Sequence, residues 1–121
     1  MEQMREPITF SIGDKQSNNF VEYRLMPLGR DWILQITGGD AHIGSLALSE
    51  KEQIHQITLD KHKESEIVEK AILGLKDLFQ GELLVIGGIH YHNIQPSQIT
   101  EIEDYCEELL DRVKQHIINQ R

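Results

Sequence analysis

The sequence predicts an α+β domain: a mainly antiparallel sheet of about six strands with two helices, in the order βββββαβα. Three observations carry that expectation. Apolar and polar residues alternate through the first half of the chain. The period lengthens to three and four residues after Asp60. One unbroken apolar run, Leu83-Leu84-Val85-Ile86, separates two helical stretches. Strands followed by helices read as α+β.

Each element has a local reason. Ile8, Phe10 and Ile12 alternate with Thr9 and Ser11, as a half-buried strand requires, and the polar stretch Asp14 to Asn19 turns the chain. Val21, Tyr23 and Leu25 make a second strand, which Pro27-Leu28-Gly29-Arg30-Asp31 ends. Trp32, Leu34 and Ile36 give the third its apolar face, and Gly38-Gly39-Asp40 breaks it, read here as a hairpin turn with positive φ. Ile43 to Leu48 and Ile54 to Leu59 follow as strands four and five. Ile67, Val68, Ala71, Ile72, Leu75, Leu78 and Phe79 form the stripe of an amphipathic helix that stops at Gln80-Gly81. The run from Leu83 to Ile86 has no polar alternation, so a central strand covered on both faces is expected, ending in Gly87-Gly88. Pro96 opens the last helix, whose stripe is Ile99, Ile102, Cys106, Leu109, Val113 and Ile117. Its acids Glu101, Glu103 and Asp104 lie early, and Arg112, Lys114 and Arg121 late, which suits the helix dipole.

Composition narrows the function classes. A chain of 121 residues is the length of one domain with one core, and residues 1–121 are read as such. Twenty acidic residues against 12 basic give a formal net charge of −8, which argues against a nucleic-acid partner and against an anionic membrane surface. Cys106 is the single cysteine, so no internal disulfide is possible; in its helical stripe it reads as a small buried hydrophobe. No apolar run approaches the roughly 20 residues that span a bilayer, and the opening residues lack a signal peptide's apolar region. A cytoplasmic location is the resulting expectation.

Chemistry concentrates at element ends. Four of the six histidines fall in three segments: Gly38-Gly39-Asp40-Ala41-His42-Ile43-Gly44, Asp60-Lys61-His62-Lys63-Glu64, and Gly87-Gly88-Ile89-His90-Tyr91-His92-Asn93. Glycines at a strand end let backbone N–H groups approach a ligand and form an anion-binding concavity. The second segment opens a helix, whose unpaired N–H groups favour an anion, and Lys61, His62 and Lys63 form a basic island in an acidic chain. Together these features suit a phosphate. His90 and His92, two apart, could share a metal with His42 or His62 as third ligand. That stretch lacks the carboxylate of a facial triad, so no metal site is assigned. Ser45 lacks the glycine context of a nucleophile elbow. An acid–base pair of His42 or His90 with Glu64 remains an alternative. His55 and His116 read as surface residues, and Trp32 as core.

In these segments the chain resembles the prenylated-flavin chaperone family, typified by the small D subunit associated with gallate decarboxylase. The resemblance rests on Gly38-Gly39 with His42-Ile43-Gly44 and Ala47-Leu48, on His62-Lys63-Glu64, and on Gly88-Ile89-His90 with Asn93. It implies a fold similar to the proteasome-assembly chaperones, commonly dimeric. It also implies a non-catalytic carrier that binds prenylated FMN, or FMN, and delivers it to a UbiD-like decarboxylase. The implied cofactor-binding positions are Gly38, Gly39, His42, Ile43, Gly44, His62, Lys63, Glu64, Gly88, His90 and Asn93. Two departures stand out: His92 replaces a common Asp, and Asp60-Lys61 replaces a common Pro-Gly. Two other functions stay open on the residues alone. One is a metal-dependent or histidine acid–base enzyme acting on a small phosphorylated molecule; the other is a ligand-free assembly factor.

Overall fold

The alternating segments pair into one six-stranded sheet in the computed structural model, which describes residues 6–59 and 64–120. The strands are β1 (Ile8–Ile12), β2 (Val21–Leu28), β3 (Asp31–Gly39), β4 (Ser45–Glu50), β5 (Gln53–Thr58) and β6 (Leu83–His90). The helices are α1 (Glu64–Leu75), prolonged by a 3-10 turn at Lys76–Leu78, and α2 (Pro96–Asn119). The expected order of elements is the observed one. Across the sheet the strands run β1-β2-β3-β6-β4-β5, with β3 and β6 parallel and the other pairs antiparallel.

Period-two burial decides the layers. Val21, Tyr23 and Leu25, then Trp32, Leu34 and Ile36, then Ala47, Leu83 and Val85 point to one face. Val68, Ala71, Ile72 and Leu75 from α1, with Ile102, Cys106, Leu109, Val113 and Ile117 from α2, close over it in one core. Trp32 is a core residue, as expected, stacked on Phe79 with ring centroids 5.4 Å apart. Cys106 is buried. Pro96 occupies the first turn of α2, where no N–H is needed, and the Gln98 side chain accepts from the Gln95 backbone N–H at 2.8 Å. No helix among the described residues is long and apolar enough to cross a membrane.

Two expectations need correction. Gly38-Gly39-Asp40 is not a hairpin turn, because β6 lies between β3 and β4. Gly39 does have positive φ, at 66°, but the chain then crosses the end of β6 to reach β4. Nor is β6 covered on both faces. It runs on through Gly87-Gly88 to His90, yet both helices share the one core face, leaving Leu84 and Ile86 half-buried on the other. The unbroken apolar run therefore reflects a sheet face without cover in the single chain.

Candidate functional site

The parallel pairing of β3 with β6 builds the site. The two strands end together, Gly38 opposite Ile89 and Gly39 opposite His90, so both glycine-rich segments arrive at one end of the sheet. From there residues 40–44 pass over the end of β6. Asp40 N–H donates to the His90 carbonyl at 2.8 Å, and Gly44 N–H to the Gly87 carbonyl at 2.9 Å. Leu59, just past β5, donates to the Gly44 carbonyl at 2.8 Å, so β5 also finishes at this end of the sheet.

The crossing dictates the glycines. A Cβ on Gly88 would lie 1.8 Å from the His42 carbonyl oxygen, and one on Gly39 would lie 2.1 Å from that of His90. Gly39 also occupies the left-handed region, which a side chain disfavours. These two residues let backbone run against backbone where any other residue would push the segments apart.

An open cleft of about 330 Å³ lies beside this junction, lined by Lys15, Phe20, Glu22, Thr37, Gly38, Gly39 and Tyr91. Glu22 and Thr37 face each other across β2 and β3, on the sheet face away from the helices. The Lys15 amine sits 5.0 Å from the Phe20 ring centroid. The Tyr91 hydroxyl donates to the Phe20 carbonyl, tying the segment after β6 to the start of β2. Burial pushes the Tyr91 hydroxyl pKa up, against the opposing pull of its backbone hydrogen bonds. The cleft thus combines two backbone-exposing glycines, one cation and two aromatic rings.

Three histidines gather at the same junction. The His42 and His90 ring centroids are 6.4 Å apart, and those of His90 and His92 4.8 Å. His92 Nε2 lies 2.9 Å from Asp40 Oδ2, and His42 Nδ1 lies 3.1 Å from the Asp40 carbonyl oxygen.

Of the residues expected at the site, Gly38, Gly39, His42, Gly44, Gly88 and His90 are brought together. Ile43 lies in the crossing loop with its side chain about half exposed, at 53%. Asn93 takes a left-handed conformation (φ 57°) in the exposed turn after β6, a backbone role that suits asparagine. His62 and Lys63 lie outside the described residues, and of Glu64 only its place at the start of α1 is described. Ser45 is buried, its hydroxyl 3.2 Å from both the Ile57 carbonyl and the Thr58 hydroxyl. His55 is at the surface, but His116 is half-buried with its ring edge-on to Phe10. Sequence reasoning missed Lys15, Phe20, Glu22, Thr37 and Tyr91. The only signal for them was position: Lys15 and Phe20 flank the turn before β2, and Tyr91 sits between two histidines.

Residues 15–118 match the family model described as the prenylated flavin chaperone LpdD-like domain. The chain belongs to this family. No curated protein matches the sequence. Among solved structures, a chain from the crystal structure of a chaperone complex for yeast 20S proteasome assembly is similar, with a TM-score of 0.53 at 12% identity. The match covers 93% of this chain and 97% of that one. At that identity the likeness is one of fold. This member of the LpdD-like family therefore carries its matched segments on a proteasome-assembly-chaperone fold, with the glycine-rich pair at the shared end of β3 and β6.

Proposed function

We propose that this chain is a non-catalytic carrier that binds prenylated FMN, or FMN, and hands it to a UbiD-like decarboxylase. The observation that carries the reading is the cleft of about 330 Å³ at the carboxyl ends of the parallel strands β3 and β6, lined by Gly38 and Gly39. Its volume falls at the lower end of the roughly 300–1,000 Å³ usual for small-molecule sites, and carboxyl ends of parallel strands are a recurrent place for such ligands. Family membership supports a flavin-related chaperone role.

The residues present suit that ligand. Phe20 and Tyr91 offer aromatic surface for a ring system, Lys15 a cation for a phosphate, and Glu22 and Thr37 polar groups for hydroxyls. A bound flavin would bring its own redox and adduct chemistry. The protein's share is to hold and shield it. The His92–Asp40 pair is largely exposed on both sides, so it lacks the water-excluded setting that makes an acid–base pair effective. That favours a carrier over an enzyme acting on a phosphorylated molecule.

We further infer a homodimer formed through the uncovered sheet face. Leu46, Leu48, Ile57, Leu84 and Ile86 lie together there by strand register, with Leu48 and Ile57 40% and 54% exposed. A contiguous apolar patch of this kind calls for cover.

Titrating the protein with FMN and with reduced prenylated FMN, and following flavin fluorescence, tests the carrier reading. Saturable binding of either flavin, weakened by Lys15→Ala and Tyr91→Ala, is expected. Absence of binding to both sinks the reading, as does rescue of an apo-decarboxylase by a variant that no longer binds flavin. The latter outcome would point instead to a ligand-free assembly factor.

A further inference from the structure

Asp40, His90 and His92 come from two chain segments 50 residues apart, yet their ligand atoms all lie within 4.8 Å of one another. Sequence spacing places the two histidines on one side of the strand end but supplies no carboxylate. The fold supplies it. Gly39 pairs with His90 across the parallel strands, and its left-handed φ turns the next residue back so that Asp40 N–H bonds the His90 carbonyl. The carboxylate then reaches His92 Nε2 at 2.9 Å. A third imidazole, that of His42, stands beside His90.

We propose that Asp40, His90 and His92 form a binding site for a divalent first-row transition-metal ion. Two imidazoles and one carboxylate are the donor set of borderline cations such as zinc, cobalt and iron, whereas magnesium and calcium prefer all-oxygen sites. Ligands at about 2.0–2.1 Å around a tetrahedral ion lie roughly 3.4 Å apart. The 4.8 Å limit exceeds that only modestly, and all three residues are exposed and free to close the gap by side-chain rotation. Stability gives a weak alternative reason for the cluster, since a His–Asp pair this exposed is screened by solvent and contributes little. Three protein ligands leave coordination positions for water or an oxygen of another molecule. The site uses none of the cleft's proposed flavin contacts and does not depend on the flavin reading.

Cobalt(II) and zinc(II) titrated into the full chain, freed of metal beforehand, test the proposal. Cobalt is expected to bind at one ion per chain with visible d–d absorption, and zinc to displace it. His92→Ala and Asp40→Asn should each weaken cobalt binding by about tenfold or more, with unchanged far-ultraviolet circular dichroism, while His55→Ala leaves it intact. In the wild type, cobalt should shift or broaden the His90 and His92 ring resonances ahead of those of His55 and His116. Failure to saturate at millimolar cobalt overturns the proposal. So does equal affinity in the Asp40 and His92 variants, or first perturbation at His55.

Discussion

The carbonyl oxygen of His42 lies 1.8 Å from the place a Cβ on Gly88 would occupy, so the loop that leaves β3 rests directly on the backbone of β6. That contact follows from topology. A chain leaving β3 must pass the end of β6 to reach β4, and only a glycine lets it pass this closely. Gly88→Ala should therefore displace residues 40–44, lower stability by about 1–3 kcal/mol, and weaken both flavin and cobalt binding. Gly74→Ala is the matching control. It lies inside α1 with only Leu110 Cδ2 near, at 3.8 Å, and should raise stability by roughly 0.5–1 kcal/mol. Urea unfolding of the two variants checks both signs; a neutral Gly88→Ala would remove the case for a tight crossing.

A second tie sits at the opposite end of β6. The Ser49 hydroxyl, buried in β4, accepts from Leu83 N–H at 2.9 Å and donates to Glu82 Oε1 at 3.1 Å. The other Glu82 oxygen accepts from Lys51 N–H at 2.7 Å, where Lys51 turns with positive φ. Ser49→Ala should strand the buried Leu83 N–H and cost about 1–3 kcal/mol. Amide exchange at Leu83 reads the loss directly. Unaltered protection there would show that another acceptor takes over.

Much of this was legible in the residues, for physical reasons that differ by element. Alternation at Val21-Tyr23-Leu25 and Trp32-Leu34-Ile36 records burial on one face, and the stripe from Ile102 to Ile117 records the same for α2. What alternation cannot encode is which strand lies next to which. Gly38-Gly39-Asp40 looks like a hairpin because the local chemistry of a turn and of a crossing loop is the same; insertion of β6 is a non-local event. For the same reason the carboxylate near His92 was invisible: Asp40 meets it only through the register of β3 on β6. The cleft residues Lys15 and Phe20 were missed because nothing in or beside a polar turn marks it as facing the distant end of β3.

The open sheet face predicts an association. Ile57 sits opposite Leu46 across β4 and β5, and Leu48 opposite Leu84 across β4 and β6, giving an apolar field that one chain leaves uncovered. Ile57→Asp should shift the protein to monomer in sedimentation velocity at micromolar concentration without lowering its helical content. Because Ile57 is over half exposed, the change should cost the monomer less than about 0.5 kcal/mol. A wild type that sediments as a monomer over the same range would exclude the interface.

Alkaline pH gives the last prediction, through Cys106 and Tyr23. Burial pushes the Cys106 thiol up to about 11 from an ordinary value of 9.0, with a hydrogen bond from Tyr23 pulling the other way and Glu103 and Glu107 adding to the rise. Burial also raises the Tyr23 hydroxyl, its partner in the core. Each group keeps its proton in the folded state over a range where the unfolded chain releases it. Stability is therefore fully present below pH ~9 and falls as pH rises toward the folded value. Two pH units of offset on the thiol correspond to about 2–3 kcal/mol, most of it lost by the upper end of the window. Tyrosine adds its share only above its ordinary value near pH ~10. Urea midpoints measured from pH 8 to pH 10 should thus slope downward in the wild type and less steeply in Cys106→Ala, which removes the thiol's part and leaves only the start of the Tyr23 contribution at the top of the range. The cavity left by alanine lowers the whole curve without adding a slope. An identical slope in the two proteins would mean that the Cys106 thiol does not hold its proton through that range.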